Sequence, residues 1–206
     1  MENRTLIVTR KQSAFARHAQ LLGLNVVEMG RPSACLEQCA AIYWDILTMG
    51  DFIIRNKVKT LLLRASRGCI RILDFNVREV TDSGLVKESL ALCDILKIEK
   101  QTLLAVCRLL GIVTQDLFDS SFDLMAAFGI RTLILNHGDQ GSHVLQDGIV
   151  SEKWGYFSFD NCSVEEAQGA FTAAFFVASL GEERLFTECH RKAFKYLESM
   201  SRKRKT

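Results

Sequence analysis

Short apolar runs alternate with longer amphipathic stretches along the chain. "TLIV" (5–8) predicts a strand, and "NVVEM" (25–29) predicts another. Between them, residues 11–23 place Phe15, Ala19 and Leu22 at helical spacing, and Gly23 closes the segment. Residues 33–44, "SACLEQCAAIYW", predict a helix opened by Ser33 just after Pro32, and "ILTM" (46–49) predicts a short strand. An amphipathic helix follows over 52–66. "IRILDF" (70–75) predicts a strand that stops at the polar loop "NVRE". A helix over 84–93 leads to the strand "DILKI" (94–98), two helices near 99–110 and 115–128, and the strand "RTLILN" (131–136). Residues 143–157 predict a hairpin with Asp147-Gly148 as its turn. Two helices, one over the stretch after Ser163 and one near 182–200, complete the chain. Strands separated by helices predict an α/β domain with a largely parallel sheet covered on both faces. Ligands in such sheets lie at the carboxyl ends of strands. The loops "NVRE" and "HGDQGS", and the stretch after "DILKI", are therefore the ones to inspect.

Composition narrows this picture. The 206 residues suit one domain with a sizeable core. No linker, repeat or low-complexity run marks a second domain. The net charge of +2 is too small to argue for nucleic acid. The most apolar window, 170–180, is too short to span a bilayer, and residues 1–12 lack the apolar core of a signal peptide. The seven cysteines lie in apolar segments without a C-x-x-C pair, so they read as buried thiols in the reducing cytoplasm. The last six residues, "SRKRKT" (201–206), form a basic tail.

Four segments in order carry a resemblance. "ILDFNVRE" (72–79) resembles the D-x-N-x-R strand end of the ribokinase/PfkB carbohydrate kinases. "CDILKIEK" (93–100), "LILNHGDQGSHVL" (133–145) and "EEAQGAFTAAFF" (165–176) are similar to three further motifs of that family, in register. "DILTMGDFIIR" (45–55) is similar to its fructokinase-like branch. The resemblance is clearest over 45–200, and residues 1–32 look like a remnant of the family's opening βαβ unit. It implies a three-layer sandwich whose β-stranded lid is missing, because only residues 33–44 occupy the place where that lid and much of the sugar site would lie. "TLIVTR" also resembles the opening of uroporphyrinogen-III synthases, a match that ends by about residue 32.

The resemblance also implies a chemistry, and the residues depart from it. The family's catalytic aspartate falls on Gly169, and the glycines of its phosphate turn fall on Glu166 and Gln168. No carboxylate remains at the base position, and Glu165 and Glu166 repel a nucleotide phosphate. Ser163-Val164-Glu165-Glu166 instead reads as a capping box, in which Ser163 and Glu166 close the helix start reciprocally. In "DILKIEK" the family's asparagine falls on Glu99, which leaves metal support in doubt. Candidate nucleotide- or anion-binding residues are Asn76, Arg78, Lys97, Gly138, Gly141 and Ser142. Alternatives stand beside each: the glycines serve turns of positive φ, and the cations pair with neighbouring carboxylates. His18, His137, His143 and His190 do not make a metal set by spacing, so no metal site is expected.

Three functions remain open. The first is a lidless, catalytically inactive carbohydrate-kinase-like protein with residual nucleotide or anion binding. The second is an active ATP-dependent sugar kinase with an unusual site; ATP and magnesium are implied only there. The third is a uroporphyrinogen-III synthase-like enzyme. Neither nucleic acid nor membrane is an expected partner, and the sequence identifies no protein partner.

Overall fold

The computed structural model describes residues 4–9, 12–29, 39–77, 81–112, 116–152, 154–155, 163–180 and 185–203. In chain order the elements are β1 (Thr5–Val8), α1 (Ala14–Leu21), β2 (Asn25–Glu28), β3 (Cys39–Asp45) and α2 (Phe52–Arg64). They continue with β4 (Ile70–Phe75), α3 (Ser83–Leu90), β5 (Ile95–Glu99), α4 (Lys100–Leu110) and α5 (Leu117–Phe128). The remainder are β6 (Thr132–Asn136), β7 (Ser142–Gln146), β8 (Ile149–Val150), α6 (Val164–Ser179) and α7 (Phe186–Lys203).

All the described strands lie in one sheet, in the order β2-β1-β3-β4-β5-β6-β7-β8. Pairing is parallel from β2 through β6 and antiparallel for β6-β7-β8. The parallel strands read as continuous apolar runs because both faces are covered: β1 and β6 are buried at every position. One face packs Val58, Leu62, Val86, Leu103 and Leu124 from α2, α3, α4 and α5. The other packs Phe15 from α1, Phe171, Phe175 and Phe176 from α6, and Leu197 from α7. This is the three-layer α/β sandwich with a largely parallel sheet that the alternation predicts.

Two expected elements change. The expected helix over 33–44 gives way, from Cys39 onward, to strand β3 in the middle of the sheet. Its alternation is plain once it is paired: Ala41 and Tyr43 join one core, while Ile42 and Trp44 join the other. Burial between β1 and β4 overrides the helix preference of the alanines, and Ile42-Tyr43-Trp44 suit a pleated surface. Residues 33–38 lie outside the described residues. The expected strand 46–49 is instead a 3-10 helix, Ile46–Gly50. Asp45 starts it by accepting from the Thr48 N–H at 3.0 Å. The hairpin at Asp147-Gly148 forms as expected between β7 and β8, with positive φ at both turn residues.

Candidate functional site

The order β2-β1-β3 puts the point where the strand sequence reverses beside β1. Two adjoining clefts open along the carboxyl edge there. The first, of about 540 Å³, collects Thr9 after β1, Glu28 of β2, Asp45 of β3, Asn76 after β4, Ser13 at the start of α1 and Glu165 of α6. The second, of about 700 Å³, is bounded by Asn76, Glu99, Thr102, His137, Gly138 and Asp139. Asn76 borders both; Glu165 of α6 lines the first, and Gln168 of α6 reaches Glu99 of the second. Two adjoining clefts are a layout suited to bringing two ligands together.

The centre of that layout is closed. Gly169 is buried, and a Cβ built on it would lie 2.4 Å from the Ala14 Cβ and 2.8 Å from the Phe15 backbone nitrogen. The first turn of α1 therefore rests directly on the position where the family resemblance places a base. Glycine here permits the approach of two helix backbones. No side chain fits at this place without moving α1.

The start of α6 is held by its neighbours. Ser163 Oγ accepts from the Glu166 N–H at 3.1 Å, as the capping pattern predicts. The reciprocal half differs: the Glu166 carboxylate turns to α1, where it pairs with Arg17 and lies 2.9 Å from His18 Nε2. The other ring nitrogen of His18 meets the Tyr196 hydroxyl of α7 at 3.0 Å. Burial opposes ionisation of Glu166, but the His18 hydrogen bond and the Arg17 charge outweigh it and hold its carboxyl below the usual carboxylate range. Ser163→Ala should thus cost about 0.5–2 kcal/mol, the loss of an N-cap, in a urea denaturation series. An unchanged midpoint would mean that the Glu166 contacts alone hold the helix start.

The predicted site residues are unevenly placed. Lys97 is buried, and its ammonium lies 2.8 Å from Asp74 Oδ2. Tyr43 donates its hydroxyl to the same oxygen. The cation expected to hold an anion is thus already paired across β4 and β5, where Asp74 and Lys97 are register partners. Gly138 N–H donates to Glu99 Oε2 at 3.3 Å, and Gln168 Nε2 donates to Glu99 Oε1 at 2.6 Å. A carboxylate of the chain itself takes the Gly138 donor, one of the candidates for an anion. Gly141 is tied to a structural demand: with φ +107°, a Cβ would lie 1.8 Å from the Trp154 carbonyl oxygen. Ser142 is buried, its hydroxyl 3.3 Å from His190 Nε2. Arg78 lies outside the described residues. Asn76 is thus the predicted residue that reaches both clefts.

Spacing did not bring out the remaining polar contacts. His137 Nε2 and His143 Nδ1 are 3.0 Å apart, so one donates to the other. Burial pushes the His190 imidazole down to about 4. Among the described residues no group of three His, Cys, Asp or Glu side chains could hold a metal ion. The described cysteines, Cys39, Cys69, Cys93, Cys107 and Cys189, are buried free thiols. Cys35 and Cys162 lie outside the described residues. No described helix is long and apolar enough to cross a membrane.

These features define the fold of the ribokinase/PfkB carbohydrate kinases. Adenosine kinase from Trypanosoma brucei brucei superposes with a TM-score of 0.63 at 10% identity, over 84% of this chain and 55% of that one. Fructokinase from Vibrio cholerae gives 0.58 at 15% identity, over 81% and 58%. Fructokinase with bound ATP from Xylella fastidiosa gives 0.60 at 13% identity, over 82% and 56%. The chain thus spans little more than half the length of these kinases. No protein-family model matches the sequence, and no curated protein matches it.

Proposed function

We propose that this protein is a non-phosphorylating member of the sugar and nucleoside kinase fold, which binds a small polyhydroxylated ligand in the first cleft. The observation that carries this reading is Gly169, over which α1 is packed too closely for any base to project. General-base help at a hydroxyl requires a basic side chain within hydrogen-bond reach, and Gly169 supplies none. The lining of the first cleft favours hydroxyl groups as ligands, since Glu28, Asp45, Asn76, Thr9 and Ser13 mix acceptors with donors. Two of the similar solved enzymes are a fructokinase and an adenosine kinase, both named for polyhydroxylated substrates. Residual nucleotide or anion contact belongs to the second cleft, beside Asn76 and Gly138. The engagement of Lys97 by Asp74 and of Gly138 by Glu99 works against it. The buried thiols agree with a reducing cytoplasmic setting.

A second reading has one observation in its favour. Glu165 lines the first cleft, whereas Glu166 is drawn away to Arg17 and His18. Glu165 is thus the carboxylate that the start of α6 offers to an active sugar kinase of unusual design. Calorimetric titration with fructose, adenosine, ATP and ADP, with and without magnesium, combined with an ADP-release assay, separates the two. We expect heat from a polyhydroxylated ligand and no ADP release. Sugar- or nucleoside-dependent ADP release that disappears in Glu165→Gln would establish the second reading. Absence of binding by any of these compounds would refute the ligand-binding role.

A further inference from the structure

The helical layer formed by α2 to α5 carries opposite charges on its two outer helices. α2, capped by Asp51, contains Arg55, Lys57, Lys59 and Arg64 and no acidic residue past that cap. α5 contains Asp119 and Asp123, is capped by Asp116 and has no basic residue. Lys59 is paired with Glu88 of α3. Lys57 and Arg64 are exposed and make no ion pair among the described residues, and the same is true of Asp119 and Asp123.

The outward strip of α2 is also apolar. Phe52, Ile53 and Leu63 are 66%, 65% and 77% exposed. Only Val58 and Leu62 of this helix are buried. Large apolar side chains exposed together on one helix face mark an interaction site. α5 offers a counterpart: its Phe118 and Phe122 are half-buried, and its Ala126 and Ala127 are exposed and small.

The two strips match in direction. Lys57 and Arg64 are about 10.5 Å apart along α2, and Asp119 and Asp123 about 6 Å apart along α5. Val58 and Leu62 share one core cluster with Leu124 and Met125, so both helices cover the same face of the sheet. Each ends a few residues before the start of a parallel strand, β4 for α2 and β6 for α5, so they run in the same direction. α2 belongs to the β3–β4 crossover and α5 to the β5–β6 crossover, at opposite sides of the layer. A two-fold axis parallel to these helices therefore sets each α2 against the α5 of a second copy, twice over.

We propose that this layer is a self-association face, with the basic, apolar strip of α2 docked on the acidic strip of α5 from a second copy of the chain. The arrangement is isologous and closes as a dimer. Charge fixes the pairing: α2 on α2 would oppose Lys57 and Arg64 to themselves, while α2 on α5 opposes them to aspartates. The exposed Phe52, Ile53 and Leu63 supply the desolvated area that charge alone does not provide.

Sedimentation of the full chain over a concentration series tests this. A dimer is expected at tens of micromolar in low salt, with association weakened about tenfold or more as salt screens the paired strips. Lys57→Glu with Arg64→Glu should give a monomer, and so should Asp119→Lys with Asp123→Lys. Combining all four should restore the dimer with its polarity reversed. All sit on exposed positions, and thermal melts check that each variant is folded. A wild-type monomer at about 100 μM, well above the micromolar range of ordinary weak association, overturns the proposal. So does a dimer indifferent to either charge reversal, or a folded fourfold variant that stays monomeric. A monomeric wild type that instead sediments with phosphatidylserine vesicles, but not with neutral ones, assigns the face to an anionic surface and equally overturns it.

Discussion

Replacing Gly169 with aspartate should unfold the protein in part rather than restore phosphoryl transfer. The new Cβ alone would lie 2.4 Å from the Ala14 Cβ and 2.8 Å from a backbone nitrogen that cannot swing aside. Forcing extra atoms into a packed contact costs about 1–3 kcal/mol. An unpaired carboxylate in the α1–α6 contact adds desolvation on top of that. A total loss of at least about 3 kcal/mol is expected from urea unfolding. Gly169→Ala should lose only the first part, although alanine is the better helix former. An aspartate variant as stable as the wild type, and able to release ADP with a sugar, would show that α1 yields easily and that the closed centre has been misread.

The second large effect is expected at Lys97. Its ammonium is buried beside Asp74, with Tyr43 donating to the same carboxylate. Lys97→Met leaves Asp74 buried with its countercharge gone, a situation that typically costs about 3–5 kcal/mol. Adding Asp74→Leu should recover most of that loss, because a buried pair replaced on both sides by apolar groups is often close to neutral. If the double variant is no more stable than the single one, Asp74 is required by Tyr43 or by the neighbouring cleft independently of Lys97. If the single variant is harmless, the pair contributes nothing to stability.

Both effects concern residues whose chemistry the sequence displayed and whose surroundings it did not. The strands β1, β2, β4, β5 and β6 were legible because each is a short apolar run bounded by helical periodicity. Strand β3 was not, since Ala40-Ala41 inside "CLEQCAAIYW" carries helix propensity that only burial between two strands overrides. The absence of a base at Gly169 was legible from the motif. That α1 fills the space could not be, because residues 14 and 169 meet only through the fold. Likewise Ser163 announced a cap by local spacing, while the partner of Glu166 lies about 150 residues away in α1. Lys97 stood as an anion ligand or as one half of a carboxylate pair, and Asp74 could not be singled out as its partner because strand register is not written in local pattern.

The Glu99 carboxylate has a consequence for any anion approaching the second cleft. It accepts from the Gly138 N–H and from Gln168, and it is anchored at the end of β5. A group tethered this close acts at an effective concentration on the order of millimolar or above, whatever is dissolved outside. The chain therefore carries its own competitor for that position. An incoming phosphate must displace a ligand that never diffuses away, and it must do so while the displaced negative charge remains next to it. For such an anion, occupancy would be set less by its concentration than by how readily one side chain lets go.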